Sequence, residues 1–306
     1  MKKLRIGMVG LGDIAQKAYL PILTKEQDWK LSGAFTPNAK KREIICSQYR
    51  INPFQSLESL CDHSDAVFVH SSTSSHFEII HYLLNRGKDV YVDKPLTEKV
   101  GQAEILVDLS QKYNRKLMVG FNRRFAPMYV KAKEACHDMA WVRIDKYRKN
   151  NINNHFYADS LLDSYIHLID LARWISEGQI TLKGGHIHQN ENNNLIYSHH
   201  SFQAQNGMQV LTGFHRNAGT GLELLEIVNM GKVIRVKNLH TFEVEEKGEL
   251  KITETGSWET ILKEKGFEGA INHFIFSILG DTAPIVDGLE GLKSQKLVQT
   301  IIEQAQ

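Results

Sequence analysis

Leu4-Arg5-Ile6-Gly7-Met8-Val9-Gly10-Leu11-Gly12-Asp13-Ile14-Ala15 is the stretch that decides the fold. Leu4 to Val9 is an apolar run of strand length, and it passes without a spacer into Gly-x-Gly-x-x-Ala at the head of a helical segment. Each small residue has a geometric task at such a junction. Gly10 permits the tight turn, Gly12 lets the backbone approach a pyrophosphate at the helix N-terminus, and Ala15 allows close packing of helix on strand. A glycine turn alone would mean little; its place between a first strand and a helix points to a dinucleotide-binding βαβ unit.

The residues that follow continue the pattern. Strand-length apolar segments at Leu31 to Phe35, Ala66 to His70, Val90 to Val92 and Leu117 to Gly120 alternate with helix-length segments. Two of those helices run from about Ser75 to Arg86, closed by Gly87, and from about Glu98 to Asn114. Alternation of this kind builds a doubly wound parallel sheet covered by helices, here a Rossmann domain over residues 1–121. Beyond it the rhythm changes to short β-rich runs, among them Trp141 to Tyr147, Gln209 to Phe214 and Lys232 to Val236. Helix-like stretches at Glu268 to Leu279 and Gly288 to Gln304 close the chain. Residues 122–306 therefore read as a second, α+β domain with an open, mostly antiparallel sheet. A length of 306 residues fits two domains.

Composition narrows the partners. With 37 basic and 35 acidic side chains the net charge is +2, which leaves no electrostatic footprint for nucleic acid or an anionic membrane. A small-molecule substrate is expected instead. Three cysteines, Cys46, Cys61 and Cys136, match neither a disulfide framework nor a zinc ribbon and read as reduced thiols. The N-terminus is unlike a signal peptide, and no segment approaches the roughly 20 apolar residues of a membrane helix, so a cytoplasmic location is expected.

Two further segments carry chemistry. Asp93-Lys94-Pro95 follows a strand at the edge of the sheet where α/β ligands bind, and a lysine there can hold a hydroxyl or carbonyl oxygen. Asp163, His167 and Asp170 fall four and three apart in an otherwise apolar helix-like stretch that ends at Gly178, so they share one stripe of a buried helix. An imidazole can take and give a proton near neutral pH, which makes His167 the candidate general base and Asp163 the residue to orient it. The bland alternative is a structural histidine with aspartate caps. His186, His188, His199 and His200 lie in strands or hairpins with no spaced acidic or cysteine partner, and no metal site is expected.

These residues resemble the Gfo/Idh/MocA oxidoreductases, and within them the bacterial MviM-type branch. The likeness rests on LRIGMVGLGDIAQKAYLP, DAVFVHSSTSSHF, VYVDKPLTE, LMVGFNRRFAP and DSYIHLID, in order and along essentially the whole chain. It implies that Lys94 stands at the family's catalytic lysine and that Asp163 and His167 stand at its aspartate and histidine; Asp93 replaces the usual glutamate. It also implies that the loop Ser71, Ser72, Thr73 to His76 lies beside the cofactor, together with Gly10, Gly12, Asp13, Ile14, Ala15, Asp93 and Lys94. Asn122 and Arg123 would sit where the chain leaves the Rossmann domain, Asn122 near the cofactor. A homodimer or homotetramer formed through the open sheet is implied as well.

The expected reaction is hydride transfer between a nicotinamide and a carbon bearing a hydroxyl on a sugar, polyol or related compound. Two other classes stay open: a dinucleotide-binding sensor or structural subunit without turnover, and glycoside hydrolysis assisted by transient oxidation. Cofactor choice turns on the end of the second strand. An NAD-selective domain places Asp or Glu there, whereas this chain has Thr36. A hydroxyl does not repel a 2′-phosphate, and Lys40, Lys41 and Arg42 offer cations just beyond it. NADP(H) is expected over NAD(H).

Overall fold

In the computed structural model, which describes residues 3–25 and 27–304, the chain divides into two compact units. The first contains Met1–Phe121 and Glu268–Lys293, the second Asn122–Phe267 and Ser294–Gln306.

The first unit is built on a six-stranded parallel sheet in the order β3-β2-β1-β4-β5-β6. Its strands are β1 (Leu4–Val9), β2 (Trp29–Phe35), β3 (Asn52–Pro53), β4 (Ala66–Val69), β5 (Asp89–Val92) and β6 (Leu117–Val119). Helices cover both faces, so β4, β5 and β6 are buried at every position, which is why they read as apolar runs apart from Asp89 at the head of β5. Each large side chain buried in this way contributes about 1.5–3 kcal/mol. The order reverses between β1 and β4, the kind of position at which ligands bind beyond the strands' carboxyl ends in open α/β sheets. Strand β3 escapes a reading by periodicity, being two residues long and containing Pro53.

The segment Glu268–Lys293 corrects the expected boundary, which gave everything after residue 121 to the second domain. Helix α10 (Phe267–Leu279) supplies Ala270, Ile271, Phe274 and Ile275, all fully buried. The Phe274 ring lies 5.4 Å from Phe68 of β4 and 5.6 Å from Tyr91 of β5, centroid to centroid. A sheet whose aromatic side chains need that cover keeps the helix, although it lies far along the chain.

The second unit carries an eight-stranded sheet ordered β14-β13-β12-β11-β7-β10-β9-β8. The strands are β7 (Met139–Tyr147), β8 (Ile180–Gln189), β9 (Leu195–Ala204), β10 (Gln209–His215), β11 (Leu222–Asn229), β12 (Lys232–Lys237), β13 (Thr241–Glu246) and β14 (Glu249–Glu254). Every neighbouring pair is antiparallel except β7 with β10. Helices α6 (Pro127–Glu134) and α8 (Ile166–Ile175) pack on one face. Val142 and Ile144 point that way and are buried, whereas Trp141 and Leu211 point to the other face and are exposed. No helix among the described residues is long and apolar enough to cross a membrane.

Candidate active site

In the first unit, Gly10 closes β1 with φ +89°, and a Cβ there would lie 2.5 Å from the backbone of His70 and Ser71. Only glycine fits that contact. Gly12 differs: a Cβ on it would meet nothing within 4 Å. Protein packing therefore gives no reason for glycine at this position, whereas close approach of a dinucleotide pyrophosphate does. Asp13 and Ile14 open the helical segment, and Ala15 is completely buried against the sheet as the close-packing role requires. From Ala15 to Tyr19 the turns are π-helical rather than α-helical, a form that occurs mostly as single turns and often at functional sites. The exposed Asp13 pairs with Lys17 at 2.9 Å; that hydrogen bond, with the charges of Lys17 and Lys41, holds its carboxyl below the ordinary range.

Thr36 directly follows β2, and two residues on Asn38 caps helix α2 (Ala39–Tyr49), its side chain accepting from the Lys41 amide at 2.9 Å. Lys41 is half-buried and Lys40 exposed. Arg42 corrects the expectation of three available cations. It is 5% exposed, and its guanidinium donates to the Thr36 carbonyl at 2.9 Å and to Gln55. That side chain holds the turn together, and Lys40 and Lys41 are the cations left.

The loop after β4 is lined with hydroxyls. Ser75 Oγ lies 2.8 Å from both Ser71 Oγ and the Ser72 carbonyl, and Thr73–Ser75 form a single 3-10 turn before α4 (His76–Asn85). His76 is buried, its Nδ1 3.0 Å from the Pro95 carbonyl and its Nε2 3.3 Å from the Ser71 carbonyl. Burial lowers its pKa, against the support of the Pro95 and Ser71 carbonyls and of Asp93. The imidazole thus ties the loop after β4 to the loop after β5. Asp93 Oδ1 accepts from the Lys94 amide at 2.9 Å, so the backbone that aims Lys94 is fixed from both sides.

In the second unit, Asn122 is buried at the start of a 3-10 turn, Asn122–Phe125. Its Nδ2 donates to the Lys265 carbonyl at 2.8 Å and its Oδ1 accepts from Arg123 at 3.3 Å. Both side-chain atoms are therefore engaged inside the second unit, which weighs against the expected cofactor contact through this side chain.

The segment with Asp163 and His167 is not one regular helix. Helix α7 (Tyr157–Ser160) runs into a π-helical stretch, Leu161–Tyr165, before α8 begins. The Tyr165 hydroxyl, fully buried, pins this stretch to the sheet through His200 Nδ1 at 2.9 Å and through Thr212. Asp163 is exposed and His167 half-buried. Asp170 does not share their environment. It is 1% exposed and takes two hydrogen bonds from the Arg124 guanidinium, at 2.6 and 2.8 Å, and one from Ser294 at 2.9 Å. The expected stripe therefore splits into two outward residues and one buried anchor.

The remaining histidines sort by face. His186, His188 and His199 surround Tyr197 on the face away from the helices, the His188 and Tyr197 rings being 5.0 Å apart, while His200 turns inward to Tyr165. Sequence reading missed a group that spacing could not disclose: Glu223 of β11 accepts from Arg123 at 2.9 Å and from Lys146 of β7 at 3.0 Å. Burial opposes ionisation of Glu223, yet the two cations hold its carboxyl well below the usual range.

Residues 4–121 match the family described as "Oxidoreductase family, NAD-binding Rossmann fold", and residues 127–247 match a YceM-like C-terminal domain. The chain is 40% identical to the oxidoreductase named YceM of Salmonella typhimurium, across 98% of each sequence. The crystal structure of a dehydrogenase, MviM, from Clostridium difficile shares 47% identity and superposes with a TM-score of 0.97, covering 99% of this chain and 100% of that one. A UDP-N-acetylglucosamine 3-dehydrogenase of Acidithiobacillus ferrooxidans is 25% identical over 56% of this chain and 54% of its own. With the glycine turn, the reversal between β1 and β4 and the lysine beyond β5 all in place, this chain belongs to the Gfo/Idh/MocA family of oxidoreductases, which bind a nicotinamide dinucleotide on a Rossmann fold.

Proposed function

We propose that the protein transfers a hydride between the nicotinamide C4 of NADP(H) and a carbinol carbon of a sugar, polyol or derivative. The observation that carries this reading is the mounting of Lys94. A lysine beyond β5, with its backbone fixed by Asp93 and by His76 through Pro95, is built for accuracy rather than for solubility. In the oxidative direction His167 takes the hydroxyl proton, Lys94 steadies the oxygen on which charge develops, and Asp163 orients the imidazole. In reduction the proton moves the other way. The nicotinamide supplies the hydride chemistry; the chain supplies positioning and proton transfer. A pure dinucleotide sensor would need the glycine turn and no mounted lysine.

Gly10, Gly12, Asp13, Ile14 and Ala15 form the pyrophosphate turn in this proposal, and Ser71, Ser72 and Thr73 line the cofactor's path. Thr36 and Lys41 support the choice of NADP(H): no carboxylate stands at the strand end to reject a 2′-phosphate, and Lys41 is left to meet it together with the exposed Lys40. For assembly we propose a homodimer or homotetramer through the outer face of the second sheet, supported by Trp141, Leu211, Leu250 and Ile252, which are 42–56% exposed there. Purified protein with NADP(H) and then NAD(H), screened against sugars, polyols, sugar phosphates and their keto forms by near-ultraviolet absorbance of the reduced cofactor, tests the reaction. Turnover with at least one such alcohol or ketone is expected; tight cofactor binding without turnover across the panel would favour the sensor.

A further inference from the structure

Where β7 ends and β11 begins, the second unit has a cavity of about 410 Å³ whose lining includes Lys146, Arg148, Lys149, Glu223 and Lys265. Four cations thus face one carboxylate. That carboxylate is already committed, since Glu223 takes Arg123 at 2.9 Å and Lys146 at 3.0 Å. No acidic side chain among the described residues pairs with Arg148, Lys149 or Lys265. Arg148 and Lys149 stand exposed at the mouth and Lys146 is buried at the base; like charges brought together without counter-charge repel, most strongly at the buried group. Lys146 registers it: burial pushes its ammonium down to about 8, Glu223 works against the fall, and Arg123 and Arg148 deepen it.

One residue of the lining connects the cavity to the charge of the candidate acid–base pair. Asn151, also in the lining, accepts from Arg216 through its carbonyl at 2.7 Å and its Oδ1 at 3.0 Å. Arg216 is buried and feels the charges of both Asp163 and Arg148. Arg216, held by Asn151 of the lining, thus links the cationic cavity electrostatically to Asp163, four residues before His167, within one unit.

We propose that this cavity holds the phosphoryl portion of the substrate, so that the enzyme acts on a phosphorylated or nucleoside-diphosphate sugar rather than on a neutral polyol. The proposal rests on the oxidoreductase reading above. A guanidinium and several ammonium groups are the donors that suit phosphoryl oxygens. The volume lies in the range of small-molecule sites and exceeds what a lone phosphate needs, leaving room for part of its carrier.

Calorimetric titration of the whole chain, saturated with NADP(H) so that the Rossmann anion sites are filled, tests this with inorganic pyrophosphate as the probe. Binding is expected in the native protein. It should weaken roughly tenfold or more in Arg148→Ala/Lys149→Ala, while cofactor affinity stays unchanged as a control for folding. In steady-state assays a hexose phosphate and a nucleoside-diphosphate hexose are compared with the free hexose; preference for one charged form identifies the carrier, and the double variant should lose that preference through KM. Absence of pyrophosphate binding, or equal binding in the variant, would overturn the proposal. Equal turnover of charged and neutral sugars would overturn it too and leave the oxidoreductase reading standing. Arg148-dependent pyrophosphate binding without turnover of any sugar would support the anion site and count against the dehydrogenase reading.

Discussion

The His76 Nδ1 lies 3.0 Å from the carbonyl oxygen of Pro95, so a side chain at the start of one helix fixes the residue that follows Lys94. His76→Ala removes that tie and leaves a buried carbonyl without its donor, a loss of about 1–3 kcal/mol. Lower thermal stability and a fall in kcat with little change in cofactor Kd are expected. His76→Gln, whose amide can still donate to one carbonyl, should recover part of the kcat. An Ala variant with full kcat would show that Lys94 is aimed without this clamp.

Lys94→Ala and His167→Ala should each cut turnover by roughly two orders of magnitude or more, because each removes a group that acts on the reacting oxygen or its proton. Cofactor affinity, measured by fluorescence of the reduced nicotinamide, should stay within a few-fold of the native value. His167→Ala with unaltered kcat would return that residue to a structural role.

Cofactor choice can be read from three substitutions. Lys41→Ala is expected to weaken NADP(H) about tenfold and to leave NAD(H) untouched; Thr36→Asp should reverse the preference by adding a charge that repels the 2′-phosphate and binds ribose hydroxyls. Arg42→Ala should lower the Tm instead, since it strips the donor from the Thr36 carbonyl and from Gln55. Native protein that binds NAD(H) more tightly in direct titration would refute the assignment.

His70 sets a pH dependence of stability. Burial lowers its imidazole from 6.5 to about 3, with the neighbouring His76 adding to the fall. Below pH 6.5 the unfolded chain takes up a proton that the folded chain refuses, so stability present above 6.5 is lost as the pH drops toward about 3. His200, lowered by burial to about 4, acts in the same direction. For His70 alone the loss between pH 6.5 and 5 is about 2 kcal/mol. Urea midpoints across this range should fall in the native protein and fall less in His70→Phe, whose ring can keep the stack on Tyr19, now 3.7 Å between centroids. Equal slopes in the two proteins would remove His70 from the account.

The first sheet was open to sequence reading because burial on two faces leaves unbroken apolar runs such as Ala66–Val69 and Val90–Val92. The second was only partly so. All six residues of β14 are exposed, so no alternation marks it, and β8 pairs Gly184 and two histidines with an outward face. At the site, Gly10, Gly12 and Lys94 stood out because local geometry dictates residue type there. Arg42 misled because a cation beside a helix start looks the same whether it meets solvent or a carbonyl. The ion cluster of Arg123, Lys146 and Glu223 left no signal, since its members come from separate elements.

The late return of Glu268–Lys293 to the first unit has a consequence for biosynthesis. When the ribosome has finished Phe121 all six strands of the first sheet exist, yet the helix that shields Phe68 and Tyr91 is still unmade. At about 5–20 residues per second that interval lasts on the order of 10–30 s. Throughout it the nascent sheet presents bare aromatic rings, a surface suited to holding chaperones and prone to aggregation. A fragment ending at residue 121 would keep that surface, so producing the nucleotide-binding half calls for a fusion that joins 268–293 to it.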